Sequence, residues 1–561
     1  MAINANAIYR SLDWNFRQQD ISGLPNRLIR SLAARLANRQ LERDFESLMQ
    51  TSAEAYLSRR STTNAPKVAF ATFGSGNWHL VLEILLAHAL ALRGASPELL
   101  LCDLPSLPVC DERTVFARDV DLCFGCLPPK QILLQASKLP WRGMTAFLTS
   151  DSLARAKETV TDLKDEELEG YMAGPWPIGR WIHVSACHFL RCDARGNDPE
   201  KVSVRRRFLT SAIVVTEAVE RWLDEVQPDI LIAESGAHFM WRIAFELARA
   251  RGIRVVCREI GKGGLDSHIY SLNSYSMFPN WSGIWTEASQ EDLSPVENER
   301  VETYLGSLVE KTYTNKTNDI PMPDDVIRSE LGLDPNLKTA VLFTNVTWDL
   351  STAGRDVGFD GLLDWILETI RLMENLPDAQ LVIRVHPAEN HVLTREHILE
   401  RINKRYPNLP QNVYLIPPEK QLAARSLYEL ASLVLAYCST TGIEAAIYRK
   451  PVLLGGDPHY RGKGFTIDVH SRQEYADLLR QWAGGELDWS TQEASELARR
   501  YFHLFFLRYH ILMDWTTSPL EPPFKLKIKD LAELLPNRNA SLDVVCSGIL
   551  NGHEIILPRE P

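Results

Sequence analysis

Apolar positions in this chain alternate between short continuous runs and stretches where they recur every three or four residues. Continuous runs bounded by turn residues read as buried strands, and the wider spacing reads as amphipathic helices. From Lys67 the order is strand KVAFATF, turn GSGN, helix LVLEILLAHALALRG, strand ELLLCD and helical stretches around 152–169 and 205–226. Strand DILIAE (229–234), helix MWRIAFELARARG and strand IRVVCRE (253–259) follow. A second series starts at AVLFTNV (340–346) and continues with helix FDGLLDWILETIRLMENL, strand AQLVIRVHP and helix LTREHILERINKRY. It closes with VYLIPP, LVLAYCS, helix IEAAIYR and PVLLGG. Strands that alternate with helices pair in parallel, so each series predicts a doubly wound α/β domain.

Polar punctuation divides the chain. The stretch 290–338, rich in Asp, Glu, Asn, Pro and Thr, reads as a linker. The expected organisation is a helical extension over 1–65, a first Rossmann-like domain over 66–320, a second over 321–485, and a helical extension over 486–561. That last extension opens with TQEASELARRYFHLFFLRYHILMDW and is expected to pack back on the first domain. Arg27, Arg30, Arg35 and Arg39 make the N-terminal extension basic. A solvated helical face packed on the first domain is the expectation. The alternative is a helix lying on an anionic membrane, against which Asp20, Glu42, Asp44 and Glu46 stand.

Composition narrows the class. At 561 residues the chain is long enough for two large domains, and 45% hydrophobic with 24% charged residues suits a water-soluble globular protein. A net charge of -11 argues against a nucleic-acid binder. The start lacks a secretory pattern, and the longest apolar stretch, His79 to Leu92, is too short to span a bilayer. A cytoplasmic protein is expected, with peripheral contact at the inner face of the cell membrane as the remaining membrane option. Nine scattered cysteines suit a reducing compartment. Cys110, Cys123 and Cys126 include a C-x2-C and permit a structural zinc, with Cys102, His183, Cys187, His188 or Cys192 as sources of a missing ligand. The second C-x2-C pair of a zinc module is missing, so buried thiols acting as small hydrophobes are the expectation.

Two runs in the second series carry the sharpest chemistry. QLVIRVHP ends in Arg384, His386 and Pro387, and AYCSTTGIEAAIYRKP ends its strand in Ser439, Thr440 and Thr441 before Gly442. Pro387 ends the strand, and Arg384 and His386 share one of its faces. Both can donate to phosphate oxygens, Arg384 bidentately. The hydroxyl cluster and a glycine at a helix start suit close approach of an anion. Two neighbouring strand ends of this kind predict the phosphate side of a nucleotide pocket. Glu444 is either a ribose-hydroxyl acceptor or an ordinary acidic helix start. Arg461 and Lys463, in the glycine-rich block 455–466, predict a mobile cationic loop able to close on a diphosphate or sugar.

The first series offers candidates for a general base. His79 follows the turn Gly74-Ser75-Gly76, which lacks the third glycine of a dinucleotide fingerprint. Glu234 and His238 sit at the end of DILIAE, and Glu259 ends the next strand. His79 is equally readable as a helix-start histidine with a structural bond, and the other motifs as turn glycines and a solvated acid.

FTNVTWD (343–349), DWILETI (364–370), LVIRVHPAE (381–389), VYLIPP (413–418), SLYELASLVLAYCSTTGIEAAIYRKPVLLGG (426–456) and HYRGKGFTIDV (459–469) resemble the capsule-polysaccharide biosynthesis glycosyltransferases, which include bacterial Kdo transferases. The likeness covers about 140 residues strongly, and the first domain only in general layout. It implies a GT-B fold, two Rossmann-like domains facing across a cleft, with the C-terminal one binding a nucleotide sugar such as CMP-Kdo. It implies that His386, Ser439 and Thr440 hold the donor phosphate, with Thr441 and Glu444 in the same motif. The acceptor implied is a bacterial surface or capsular glycan, free or lipid-linked. No metal is expected to be required, since cationic and amide donors can neutralise the leaving group. A CDP-alcohol polyol-phosphate transferase and a non-catalytic nucleotide-binding scaffold are the alternatives.

Overall fold

A computed structural model describes residues 39–51, 65–74, 77–116, 123–262, 266–310, 321–390, 394–517 and 525–559. Both expected sheets are present. The first has seven strands in the order β13-β6-β5-β4-β1-β2-β3, and the second six in the order β12-β11-β10-β7-β8-β9. Strands are numbered along the chain: β1 (Lys67–Thr72), β2 (Ser96–Leu101), β3 (Trp141–Gly143), β4 (Ile230–Glu234), β5 (Arg254–Ile260), β6 (Ser267–Leu272), β7 (Lys338–Phe343), β8 (Ala379–Arg384), β9 (Val413–Ile416), β10 (Leu433–Ala436), β11 (Val452–Leu454), β12 (Ile467–Asp468) and β13 (Ile511–Leu512).

All pairings in the second sheet are parallel. Its chain runs outward from β7 through β8 to β9, then returns to the other side of β7 for β10, β11 and β12. The order therefore reverses between β7 and β10, the point where open α/β sheets bind ligands at the carboxyl ends of their strands. The first sheet has the same plan, reversing between β1 and β4. Its β6 adds antiparallel to β5 and β13 antiparallel to β6, which strand–helix alternation did not signal.

Apolar continuity explains the layering. Every residue of β8 and of β4 is buried, as strands covered on both faces require. Helix Asn77–Ala91 is buried nearly all round because the C-terminal helix Ala540–Asn551 and the turn Leu531–Leu534 also pack on it. Arg93 ties that arrangement down by donating to Leu534 O at 2.7 Å and Asp543 Oδ1 at 2.6 Å.

The described residues fall into two units. One comprises residues up to Phe189, Ala194–Asn280 and Arg508–Arg559; the other comprises Leu190–Asp193 and Trp281–Leu507. The division thus comes after Asn280, ahead of the boundary at 320 read from composition. The acidic stretch is in large part helical, with helices Pro295–Glu310 and Asp324–Leu331. Ser294 and Glu297 cap the first of these reciprocally, at 3.2 and 2.8 Å, so its acid and hydroxyl content is helix-start chemistry. The C-terminal amphipathic run likewise divides. Helix Thr491–Phe502 belongs to the second unit, and the segment from Arg508 supplies β13 to the first.

Of the N-terminal extension, residues 39–51 are helical, and Leu41, Phe45 and Leu48 join the core of the first unit. Asp44 also accepts a hydrogen bond from Leu526 N at 3.0 Å, in accord with a helix packed on that unit. Arg27, Arg30 and Arg35 lie outside the described residues. Among the described residues no helix is long and apolar enough to cross a membrane.

Candidate functional site

In the second unit, β8 and β10 are separated by β7 rather than adjacent, which corrects the expectation of neighbouring strand ends. The tip of β7 makes the link. Thr344 Oγ1 accepts from His386 N at 2.9 Å, and Asn345 Oδ1 accepts from Cys438 N at 3.1 Å. Both linking residues are buried. Sequence reading singled out neither, although polar residues directly after an apolar strand were a usable signal.

His386 is half-buried, and its Nδ1 accepts from Ala388 N–H at 3.1 Å. A ring nitrogen that accepts carries no proton, so the neutral ring bears its hydrogen on Nε2 as a donor. Pro387 starts the short 3-10 turn Pro387–Asn390, which places the Ala388 amide there. Arg384 does something else: its guanidinium donates to Pro417 O at 2.6 Å and Lys420 O at 2.8 Å, bracing the loop after β9. It is 4% exposed, so burial and committed donors make it a strut for that loop rather than the bidentate phosphate ligand expected.

The hydroxyl cluster lies in the turn after β10. Ser439 Oγ accepts from Thr441 Oγ1 at 2.8 Å and from Thr441 N at 3.3 Å. Thr440 occupies the cap position of helix Thr441–Ile447 without a side-chain capping bond. Tyr460 donates to Ser439 O at 2.6 Å, and a Cβ on Gly442 would lie 2.2 Å from the Tyr460 hydroxyl. Gly442 is therefore required by this tyrosine, where ligand approach was the expected reason. Glu444 accepts from Tyr428 at 3.1 Å, and burial raises that phenol well above its ordinary pKa.

The glycine-rich block is pinned. Arg461 donates to Gly456 O at 3.2 Å and to Val469 O, and Gly462 N donates to Asp468 Oδ2 at 2.7 Å. Arg461 thus holds the loop closed on itself, which replaces the expected mobile cationic loop. Lys463 is half-buried, and desolvation pulls its ammonium pKa down. A second cation, Arg355, comes from the loop after β7. It stands 3.8 Å from Asp457, and its charge opposes in part the burial that pushes the Cys438 thiol pKa up.

In the first unit the four base candidates separate. His79 Nδ1 and Glu234 Oε1 are 3.1 Å apart at the reversal between β1 and β4, and both are buried. Arg258 Nη2 lies 3.0 Å from the same Nδ1. Burial first, then Arg258, His268 and Lys130, hold the His79 pKa well below the usual histidine range. His238 precedes helix Phe239–Ala250, its ring 5.2 Å from that of His188, while Ser185 caps the helix by accepting from Phe239 N at 2.8 Å. Glu259 accepts from Ser276 Oγ at 2.6 Å. His238 and Glu259 are thereby set apart from the His79–Glu234 contact.

Cys102, Cys110, Cys123 and Cys126 line one small pocket with Phe73 and Glu112. Among the described residues these sulfurs do not bring three ligand atoms within 4.8 Å of one another. Burial pushes the Cys102 thiol up to about 12 and raises Cys126 as well.

The described residues thus hold two Rossmann-like units, each with polar side chains gathered where its sheet order reverses. Residues 328–481 match the family model described as capsule polysaccharide biosynthesis protein. Among solved structures, the chain is similar to the KpsC beta Kdo 2,4 transferase of Thermosulfurimonas dismutans, at 17% identity and TM-score 0.30, over 48% of this chain and 78% of that one. The beta Kdo 2,7 transferase of the same protein aligns at 18% identity and TM-score 0.29, over 50% and 80%. The UDP-GlcNAc 2-epimerase from Neisseria meningitidis, bound to UDP-GlcNAc, aligns at 11% identity and TM-score 0.25, over 78% and 98%. No curated protein matches the chain.

Proposed function

We propose that this protein is a glycosyltransferase that moves a sugar from a nucleotide-activated donor to a bacterial surface or capsular polysaccharide. One observation carries the reading. Within the segment that matches the capsule-biosynthesis family model, Thr344 and Asn345 couple His386 and the Ser439 turn to the strand end where the sheet order reverses.

In this reading the bond between the anomeric carbon and the donor phosphate oxygen breaks as an acceptor hydroxyl oxygen bonds to that carbon. His386 Nε2–H and the hydroxyls of Ser439 and Thr440 donate to the departing phosphate, where negative charge grows, while Thr441 donates to Ser439 Oγ and so leaves the Ser439 hydrogen for the phosphate. Lys463 and Arg355 are the cations assigned to it. Glu444 is assigned to a ribose hydroxyl. His79, paired with Glu234, takes the acceptor proton. The likeness of 343–469 to Kdo transferases puts a CMP-linked sugar first among donors, and the acceptor is a glycan or a lipid-linked glycan. The charge on the leaving group is met by these side chains, so transfer is expected to continue in a chelator.

A thermal-shift screen over nucleotides and nucleotide sugars, followed by acceptor-dependent nucleotide release with each hit, tests the proposal. The expected result is a selective rise in melting temperature with one nucleotide family. The reading fails if no nucleotide stabilises the protein and no donor is turned over.

A further inference from the structure

Resting on the reading above, we propose that Arg258 is a positioning residue for the His79–Glu234 pair: it competes with Glu234 for His79 Nδ1 and thereby keeps the imidazole uncharged. The argument begins with geometry. Nδ1 lies 3.1 Å from Glu234 Oε1 and 3.0 Å from Arg258 Nη2, yet a ring nitrogen either donates one hydrogen or accepts one. With a hydrogen on Nδ1, the ring donates to Glu234 and Nε2 is left as the base. With Nδ1 bare, it accepts from Arg258 and Nε2 carries the hydrogen. The junction therefore selects between a ring that can take a proton and one that cannot.

Backbone register builds this contest in. Glu234 on β4 and Arg258 on β5 are paired residues of one parallel ladder, and Ser235 N donates to Arg258 O at 2.7 Å. His79 reaches the pair from helix Asn77–Ala91 after β1. On its other side Arg258 Nη1 is 3.4 Å from Nδ1 of His268, on the antiparallel strand β6. Arg258 is 1% exposed, and its Nε has no hydrogen-bond partner among the described residues. Among the described residues, the nitrogens of this buried guanidinium thus meet two imidazoles, where Arg384 braces carbonyls. A buried cation with an unmet donor is costly as packing and calls for a role.

The electrostatics agree with that role. The Glu234 carboxylate offsets the guanidinium, and an imidazolium at His79 would add a second positive charge beside it. Among the described residues, the other charged or titratable groups near it are His268 from β6, Lys130 from helix Cys123–Ser137 and Glu83 one turn along its own helix. Burial raises the Glu83 pKa, so this carboxyl does not supply the missing negative charge. When His79 takes a proton on Nε2, its Nδ1–H turns fully to Glu234, and Arg258 speeds loss of that proton afterwards.

The test uses the full chain with 15N-labelled histidine and long-range 1H–15N NMR. His79 is assigned by the signal lost in His79→Gln. In the wild type the ring should stay neutral down to the acid limit of the fold. Arg258→Met should raise its titration by about one pH unit or more, and Arg258→Lys should largely restore the wild-type value. If Arg258→Met does not fold, Glu234→Gln decides, since His79 should then be the Nε2–H tautomer accepting from Arg258. Unchanged titration in a folded Arg258→Met, or a persistent Nδ1–H tautomer in Glu234→Gln, overturns the inference. These readouts need no turnover. Coupling seen by NMR in a protein that turns over no donor supports the inference while sinking the transferase reading. Turnover with an unshifted His79 does the reverse.

Discussion

Asn345 Oδ1 accepts a hydrogen bond from the Cys438 amide at 3.1 Å, joining the tips of β7 and β10 where the second sheet reverses. Its neighbour Thr344 holds the His386 amide, so a single strand end sets the positions of both halves of the proposed phosphate site. Asn345→Ala leaves a buried amide without its acceptor. It should cost about 1–3 kcal/mol in denaturant unfolding and weaken nucleotide stabilisation along with it. Wild-type nucleotide affinity in this variant would show that the link does not shape the site.

His386→Ala removes the Nε2–H donor while keeping the strand. Turnover should fall by about 100-fold or more with little change in melting temperature. Full activity would remove His386 from the mechanism.

Arg384→Met tests the reassignment of this arginine. Loss of its bonds to Pro417 O and Lys420 O should destabilise the protein by about 1–3 kcal/mol. The nucleotide-induced shift, measured from the variant's own melting temperature, should be kept. A stable variant that no longer binds nucleotide would restore the phosphate role.

Gly442→Ala should displace Tyr460, whose hydroxyl would lie 2.2 Å from the new Cβ and which holds Ser439 O. Overpacking of this kind costs about 1–3 kcal/mol. Pairing it with Tyr460→Phe, which removes the obstructing hydroxyl, should recover part of that stability. Failure to recover any would mean the clash lies elsewhere.

Burial raises the Glu554 carboxyl from its ordinary 4.5 to about 7. Between those values the folded protein holds a proton that the unfolded chain has released, so stability falls as pH rises. This contribution is fully present below pH 4.5 and gone above about 7. Melting temperature against pH should therefore decline less steeply in Glu554→Gln than in the wild type. Parallel curves would exclude the group.

Alternation of apolar runs with helical spacing was enough to give both sheets, because strands covered on two faces must be apolar throughout, as β4 and β8 are. The hydroxyl turn at Ser439 and the histidine at 386 were readable for a related reason: polar residues that abruptly end such strands must lie at a sheet edge. What the linear pattern lacks is lateral order. It could not show that β7 lies between β8 and β10, since strand neighbours are fixed by crossover connections and not by adjacency in sequence. Nor could it say which arginine faces a ligand. Arg384 and Arg461 resemble phosphate ligands in the chain, yet both donate to backbone carbonyls that only folding brings within reach. The convergence of His79, Glu234 and Arg258 was hidden in the same way, because three segments up to 179 residues apart meet only when β1, β4 and β5 lie side by side. Sequence determined the elements and the chemical character of their ends; tertiary structure decided which ends meet, because hydrogen bonding between side chains acts over ångströms and chain order does not encode those distances.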